Sequence, residues 1–521
     1  MKRILLPPLA ALLFLVVPRA GAADCNVRDS GAVGDGTTVN TAAIQKAIDA
    51  CRDAGGGRVV VPRGVFVSGT LRLHSHVELH LEVGAVLKGS PNLSDYQLGG
   101  RVVGLLYSEN VEDVSITGRG QIDGNGDAFM DLTAAKKIDA AGAQYTRQKE
   151  RFREVREGLG DGPVVPLPRP YQMIVFSACR NVTIEDVLIT NAPFWTVHFA
   201  DCDSVRVSGI RLLNNIMVPN GDGLDFTSCS NVIVSDCDIR AGDDAIVVTG
   251  YDHHFDLPGF KGARRVSENV TVTNCTLTSR SSAIRIGGLD QNTMRNYVFS
   301  NLTISDSNRG IGVFQRAEGS IENVTFSNIV IHTRLHTGDW WGHGEPIHVS
   351  AVRVNESGPI GRIKGLKFSH IVATGESGIL VYGTKESVIE DVSFEDVDSR
   401  LNDSPLNPVA GGNFDFRPVF DARLSLFAHD IPAFYAQHVR NLRLRDMSVE
   451  WGNVKEPYFT HAVEVTDYEN VVIDGFRGDA SPASRDKAPV RLRNGRGERV
   501  VNVRSARGGA SSPRTDATPP R

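Results

Sequence analysis

A repeated unit is the feature that most restricts how this chain can fold. Between residues 181 and 331, a stretch that begins with Asn or Ser and continues with alternating apolar residues recurs at intervals of 23 to 38 residues. The starts are Asn181, Ser204, Asn231, Asn269, Asn296 and Asn323. Each unit has two or three strand-like segments with Asn, Asp, Ser or Gly at the bends, and it cannot bury its apolar face alone. Stacked units of this kind predict an all-β fold, a right-handed parallel β-helix.

Weaker copies of the unit lie on both sides of this region. Alternation of apolar and polar residues starts at Arg58, which is typical of strands with one buried face. Later copies begin near Gly365, Ser387, Asn441 and Asn470. On the early strands a row of polar side chains points outward, namely Arg72, His74, His76, Glu78 and His80. Proximity alone implies no metal-ligand geometry, so we interpret this row as a solvated strand face and predict no metal site.

The N-terminal region precedes the repeats. Residues 1–23 combine basic residues, an apolar segment and small residues, as in a signal peptide, which predicts a secreted or periplasmic protein. Within residues 41–51, apolar residues at helical spacing predict a helix that caps the solenoid. They are Ile44, Ala47, Ile48 and Cys51. Cys25 and Cys51 bracket this helix and are candidates for a disulfide.

The predicted solenoid domain spans residues 24–478 and contains two insertions. The first, about 127–170, is charged and helix-prone from about Asp131 to Glu157, and the second, about 402–437, is loop-like and aromatic. Long excursions from a rigid scaffold usually form the walls of a binding cleft. Residues 479–521 form a terminal segment that is rich in Ser, Pro, Gly and Arg, which predicts disorder after about residue 507.

Charge and cysteine content limit the partners of the chain. A formal net charge of −5 disfavours nucleic acid, which needs a basic face. Beyond the N-terminus no apolar run is long enough to span a membrane. An acidic polymer is compatible with this charge because local Arg pockets bind carboxylates. We expect a monomer with a polysaccharide or oligosaccharide partner and no cofactor. Cys237 and Cys275 occupy equivalent places in successive units, and we expect buried free thiols.

A carboxylate cluster is the strongest functional signal. Asp222 and the pair Asp243 and Asp244 are about one repeat apart, so a coiled fold places them on neighbouring rungs. Gly242 permits a bend that turns both members of the pair toward one cleft. Crowding raises the pKa of one carboxyl, which supplies an acid, while another stays charged as a base. Glycoside hydrolysis needs this combination. The alternative is that these residues only form turns.

The motifs around these acids resemble those of glycoside hydrolase family 28, the polygalacturonase family. Residues 220–222, Asn-Gly-Asp, look like the family's Asn-Thr-Asp signature, and residues 242–244, Gly-Asp-Asp, match the second signature. The resemblance implies a pectin lyase-like solenoid with Asp243 as the general acid. It also implies that Asp222 and Asp244 hold and activate the attacking water. Inversion is then expected, with acid and base about 6.5–9.5 Å apart.

Two further signatures of the family are missing. Ser282 occupies the place of the His in Gly-His-Gly, and residues 310–312, Gly-Ile-Gly, stand where Arg-Ile-Lys is expected. In polygalacturonases those basic residues grip the substrate carboxylate, so replacements are required. The candidates are Arg285, Arg309 and Arg316, because a guanidinium forms a fork that suits a uronate. The predicted substrate contacts are Asn220, Ser282 and Arg285.

Two tryptophans complete the predicted site. Indole faces stack on the apolar faces of sugars. Trp195 precedes the acids by about one rung, and Trp340 lies in the Gly-rich loop with Trp341. A longer loop after Tyr251 extends one unit to 38 residues, which favours a closed pocket and removal of terminal sugars.

The sequence therefore predicts an inverting glycoside hydrolase that acts from a chain end on pectin-type polysaccharide, either galacturonan or rhamnogalacturonan fragments. One alternative is a polysaccharide lyase on the same fold, which would hold Ca²⁺ with the acids and remove a proton with Arg285. Another is a non-catalytic carbohydrate-binding solenoid. The fold alone does not choose among them, because one scaffold hosts several chemistries.

Overall fold

The computed structural model describes residues 23–138, 141–154, 158–252, 265–506 and 514–516. The predicted signal peptide lies outside the described residues, apart from Ala23, and so does most of the segment after residue 507. None of the helices among the described residues is long and apolar enough to cross a membrane.

The strands stack in three parallel ladders, which confirms the predicted parallel β-helix. The first ladder consists of Ala23–Asn26, Gly57–Val61, Val77–Leu81, Glu112–Gly118, Arg180–Glu185, Asp203–Ser208, Ser230–Ser235, Ser267–Thr273, Met294–Ser307, Ile321–Thr333, Ile363–Gly375, Ile389–Leu401, Phe434–Trp451, Val463–Asp474 and Arg499–Val501. The second consists of Asp35–Val39, Gly64–Ser68, Ala85–Gly89, Gln121–Asp123, Leu188–Thr190, Arg211–Leu213, Asp238–Ala241 and Thr276–Ser279. Its later rungs are the continuations of the long strands of the first ladder.

The third ladder forms the floor of the site. It consists of Leu71–Arg72, Leu106–Glu109, Ile174–Ser177, Val197–Ala200, Leu224–Thr227, Ile246–Thr249, Ser282–Gly288, Arg309–Gln315, Glu345–Ala351, Ile379–Tyr382, Val490–Arg493 and Arg514–Asp516. Between Ile379–Tyr382 and Val490–Arg493, the starts of the long strands Phe434–Trp451 and Val463–Asp474 take part in this ladder.

Asparagine residues set one bend of the coil. The six residues that begin the repeated units all have a left-handed backbone, with φ between 52° and 61°. Asn tolerates this conformation better than other non-glycine residues. The amides also stack from rung to rung, since Asn269 Nδ2 donates to Asn231 Oδ1 over 3.0 Å. The repeat in the sequence is therefore a row of identical corners in the structure.

The interior is apolar, with like residues stacked along the axis. Phe176, Phe199 and Phe226 stack face to face with ring centroids 5.3 and 5.0 Å apart. A second stack contains Phe299, Phe326, Phe368 and Phe394. Cys237 and Cys275 are free and buried, as predicted. This close-packed core fixes the register of the rungs, and thus the positions of residues on the outer face.

The predicted cap is present at the N-terminal end. Thr41–Asp53 is an α-helix whose buried residues are the four apolar ones that define the sequence pattern. A disulfide joins Cys25 to Cys51 and ties the helix to the first strand. The polar row on the early strands is a solvated face, as predicted, where His74 pairs with Asp49 and His76 with Asp113.

The first insertion differs from the prediction. No α-helix occurs among the described residues between 131 and 157. Instead Met130–Ala135 pairs with Val164–Pro166 as a hairpin, and short 3₁₀ turns occupy Ala143–Tyr145 and Lys149–Arg151. Long-range contacts override the helix propensity: Arg147, for example, donates to Gly412 O and pairs with Asp430.

The second insertion contains short helices and a hairpin. The helices are Asn407–Ala410 and Ala422–Ser425, and Asn413–Asp415 pairs with Leu426–Ala428. The remaining short elements of the chain are the hairpin of Gln97–Leu98 with Arg101–Val102 and the 3₁₀ turns Leu93–Asp95, Gly126–Phe129 and Pro482–Ser484. The two insertions contact each other and the loop that carries Trp340, so together they form one wall beside the third ladder.

Candidate active site

The carboxylate cluster lies where strands of the third ladder begin. Asp222 precedes Leu224–Thr227, and Asp243 and Asp244 precede Ile246–Thr249, which is the next rung of the same ladder. One oxygen from each of the three carboxyls lies within 4.8 Å of the others. The prediction that neighbouring rungs bring these acids together is therefore correct.

The spacing of the acids differs from the prediction. We expected acid and base about 6.5–9.5 Å apart, as in inverting hydrolases generally, whereas the nearest carboxylate oxygens lie within 4.8 Å. The physical reason is that Asp243 and Asp244 are adjacent in sequence and that Asp222 lies on the preceding rung. Neighbouring rungs are about 4.8 Å apart along the ladder.

Burial and mutual repulsion raise the pKa values of two of these acids. Burial and the nearby Asp244 carboxylate raise the pKa of Asp243 to about 7. Burial, and then the carboxyl of Asp243, raise the pKa of Asp222 well above its usual range. Asp244 has strong donors instead: it accepts 2.7 Å from Ser282 N and 3.1 Å from Arg285 Nη1. The cluster thus combines two carboxyls of raised pKa with a third carboxyl that is hydrogen-bonded and paired with an arginine.

Arg285 is the only one of the three candidate arginines that reaches this site. Its guanidinium pairs with Asp244 and donates to the Tyr251 hydroxyl over 3.0 Å. Burial alone would lower the pKa of Arg285, but Tyr251 and Asp244 raise it above its ordinary value. Arg309 and Arg316 are instead fully buried. Arg309 pairs with Glu345, and Arg316 donates to main-chain carbonyls.

The position at which the sequence resemblance leads us to expect a basic side chain, Gly312, has no room for one. Gly312 is the ladder neighbour of Arg285, and a Cβ at Gly312 would lie 2.5 Å from the ring of Phe314. The aromatic ring therefore occupies the space that a side chain at 312 would need. Arg285, one rung earlier, is the cation on this part of the floor.

A cavity of about 330 Å³ lies over the acids. Its lining includes Asp222, Asp243, Arg285, Asn220 and Trp195. Asn220 is exposed, and its main-chain N–H donates to Asp243 over 3.3 Å. All five belong to the set of residues predicted for the site.

The other three predicted residues lie differently. Asp244 is buried beneath the cavity, where it holds Arg285. Ser282 is also buried, and its contribution is the main-chain N–H to Asp244. Trp340 lines the cavity but is only 2% exposed, and its Nε1 donates to Asp161 O. Its neighbour Trp341 is less buried, lines the same cavity and lies beside Arg285.

Three residues of the site were not identified from the sequence. Asp225 is buried on Leu224–Thr227, and neither of its carboxylate oxygens has a hydrogen-bond partner among the described residues. The sequence did contain a signal for Asp225, because the alternation of apolar and polar residues places it on the outward face of its strand. Arg169 donates to Asn220 Oδ1 and to Pro219 O, which fixes the loop before Asp222. Lys136 lines the cavity from the first insertion. For these two residues the sequence contains no comparable signal.

The region of the chain that contains the site is similar to known proteins. Residues 166–399 match the model of Glycosyl hydrolases family 28. A Vitis vinifera protein named "Probable polygalacturonase" is 30% identical over 246 residues, which is 43% of this chain and 44% of that protein. The exo-poly-alpha-D-galacturonosidase of Dickeya chrysanthemi is 30% identical over 250 residues, 42% of this chain and 41% of that protein. The chain thus spans less than half the length of these two curated relatives.

Two solved structures share the fold. The exopolygalacturonase of Thermotoga maritima has a TM-score of 0.56 at 23% identity, over 74% of this chain and 88% of that one. The family 28 exopolygalacturonase of Yersinia enterocolitica has a TM-score of 0.62 at 20% identity, over 88% of this chain and 79% of that one. The region that matches the family model contains all three clustered acids and the strands that position them, so this part of the chain is similar to Glycosyl hydrolases family 28.

Proposed function

We propose that this protein is a glycoside hydrolase that cleaves galacturonate-containing polysaccharide of the pectin type. The observation that carries this proposal is the buried cluster of Asp222, Asp243 and Asp244 at a cavity that also contains Arg285. The match of residues 166–399 to the family 28 model supports membership of that family and hydrolysis, and the names of the relatives support a galacturonan substrate. Arg285 supplies a cation to which a uronate carboxylate can bind beside the reacting bond.

Asp243 acts as the general acid. Its carboxyl lines the cavity, and its raised pKa of about 7 leaves a large fraction of it protonated near neutral pH. In the reaction the carboxyl proton moves to the glycosidic oxygen as the bond from that oxygen to the anomeric carbon breaks. The leaving sugar departs with a neutral hydroxyl, and Asp243 is left as a carboxylate.

Asp244 and Asp222 hold and activate the attacking water. Asp244 accepts from Ser282 N and Arg285, and these contacts fix the orientation of the carboxyl group to which we assign the proton lost by the water. Asp222 has one buried oxygen, Oδ1, without a partner among the described residues, and this oxygen is available to orient the same water. The water oxygen attacks the anomeric carbon, and the proton it loses goes to Asp244.

Inversion is the stereochemical outcome that we propose, and nuclear magnetic resonance tests it directly. An α-linked galacturonan should yield β-configured reducing ends in the first minutes, before mutarotation. Because the acids lie closer together than in most inverting enzymes, this experiment is decisive. Initial formation of the α anomer would contradict inversion and leave hydrolysis intact, whereas no cleavage of any galacturonan would contradict the proposed function.

Attack from a chain end is the proposed mode of action. Lys136 from the first insertion and Pro418 from the second both line the cavity, so the two insertions narrow the groove above the ladder. The names of the Dickeya and Thermotoga proteins are consistent with this mode. The loop after Tyr251, which contributed to the same prediction, falls on residues 253–264, outside the described residues. Monogalacturonate as the first soluble product would support the proposal.

The pH profile of the hydrolase should fall on its alkaline side. Asp243 has a pKa of about 7 and must be protonated to act, so kcat/KM should be high below pH 7. It should decline about tenfold per pH unit well above it. Initial rates at constant ionic strength, with circular dichroism to verify folding at each pH, provide the measurement. A rate that stays constant from pH 6 to pH 9 would remove Asp243 from the role of acid.

The lyase alternative needs Arg285 to act as a base, and Arg285 is unsuited to that role. Its interactions with Tyr251 and Asp244 raise its pKa, so it retains its proton more firmly than an ordinary arginine. We therefore expect products without the ultraviolet absorbance of a new double bond, and activity that survives a calcium chelator.

A further inference from the structure

A second cation lies at the cavity, apart from the acids and Arg285. Lys136 follows the strand Met130–Ala135 in the first insertion and lines the cavity, and its side chain is 45% exposed. Its ammonium pairs with Asp339 Oδ2 at 3.0 Å. An ammonium has three donors, so this contact leaves capacity for a ligand.

Asp339, which pairs with Lys136, also pairs with an arginine of the wall. Asp339 is buried, with a side chain that is 7% exposed, and its Oδ1 accepts from Arg417 over 2.9 Å. Burial alone would raise the pKa of Asp339, but Arg417 and Lys136 lower it, so the carboxylate is charged. Arg417 also pairs with Asp415 at 2.9 Å, and the buried Arg153 interacts electrostatically with both carboxylates. Three cations therefore face two anions, and the ammonium of Lys136 lies at the rim of the cavity.

The wall behind Lys136 has an excess of positive charge. Its cations are the fully buried Arg153, Arg309 and Arg316 and the largely buried side chain of Arg417, and its anions are Asp339, Glu345 and Asp415. His343 and His348 add no charge near neutral pH, since burial lowers the pKa of each to about 4. A cavity with such a wall attracts anions, and the field is strongest where water access is restricted.

We propose that Lys136 is a specificity-determining residue that binds a second substrate carboxylate, on a different sugar from the one bound by Arg285. This proposal rests on the proposed function. A glycosidic substrate places one sugar on each side of the reacting bond, and the cavity offers two cations on different elements. The preferred substrate would then be an oligogalacturonate with unesterified carboxylates on successive sugars, rather than a chain in which charged and neutral sugars alternate.

Calorimetric binding separates the role of Lys136 from catalysis. In an Asp243→Asn background, which prevents turnover, trigalacturonate and its methyl ester are titrated into proteins with Lys136 and with the Lys136→Met substitution. We expect the Lys136→Met protein to bind the acid about tenfold more weakly. The ester should bind equally to both proteins because it has no carboxylate. Lys136→Arg should restore most of the affinity for the acid, since it keeps the charge.

Lys137→Met is the matched control, because Lys137 is the adjacent exposed lysine and does not line the cavity. Equal affinity for trigalacturonate with and without the Lys136→Met substitution would overturn the proposal. An equal loss for acid and ester would also overturn it, since it would indicate a general change in the wall. Failure of the otherwise unmodified protein to hydrolyse galacturonan would contradict the proposed function, while the binding comparison would still decide the role of Lys136.

Discussion

Replacement of Asp243 by Asn will lower kcat about 10³-fold and change KM only a few-fold, because the proton donor is lost while the shape of the cavity is kept. Asp243 lines the cavity, and burial together with Asp244 raises its pKa to about 7, so a large fraction is protonated near neutral pH. Asn has nearly the same size but cannot transfer a proton to the departing oxygen.

Two comparisons make this result specific. An aryl galacturonide with an acidic leaving group needs little protonation, so its loss of kcat in Asp243→Asn should be much smaller than the loss with galacturonan. Asp236→Asn serves as the matched control, since Asp236 is exposed at a left-handed bend that Asn also accepts. If Asp243→Asn keeps galacturonan hydrolysis within tenfold of the original rate, another group must be the acid.

Replacement of Arg285 by Met will weaken both folding and substrate use. The side chains of Arg285 and Asp244 are 12% and 1% exposed, so removal of the arginine leaves a buried carboxylate without its counter-ion. Breaking a pair of this kind costs about 3 kcal/mol of unfolding free energy. We also expect a large rise in KM for galacturonan, because the proposed uronate contact is lost.

A double-mutant cycle distinguishes these two effects. Arg285→Met combined with Asp244→Asn should recover much of the unfolding free energy, measured by denaturant titration, because no unpaired charge remains. Hydrolysis should not recover, since the proposed water-activating carboxylate is also gone. Arg285→Lys keeps a charge but not the planar fork, so its KM should lie between those of the original protein and the Arg285→Met protein. Unchanged stability in Arg285→Met would contradict the ion-pair assignment.

The solenoid and its acids were predictable because their determinants are local. Asn231 and Asn269 mark the same corner on successive rungs, and this recurrence is visible in the sequence as a repeat. Once the rungs are stacked, the proximity of Asp222 to Asp243 follows from their spacing along the chain. Their shifted pKa values follow in turn from burial and like charge.

The insertions were predicted to form the cleft wall, but the contacts within that wall were not predictable because they connect distant parts of the chain. Lys136 meets Asp339, and Arg153 donates to Trp340 O, across gaps of 203 and 187 residues. No periodic pattern encodes such pairs, and the helix propensity of the first insertion suggested the wrong local structure. The choice between Trp340 and Trp341 depends on the same packing, which buries one indole more deeply than the other.

The row of asparagine corners has a consequence for how such proteins can be altered. Each corner has its own left-handed residue, and an amide contact joins Asn231 to Asn269 on the next rung, so the length of chain between corners is free to vary. The units already differ in length from 23 to 38 residues without loss of register. Segments that rise from the third ladder are therefore natural points for exchange between solenoids. A new cleft wall, and with it a new preference for charged sugars, can be transplanted while the third ladder and its carboxylate cluster stay in place.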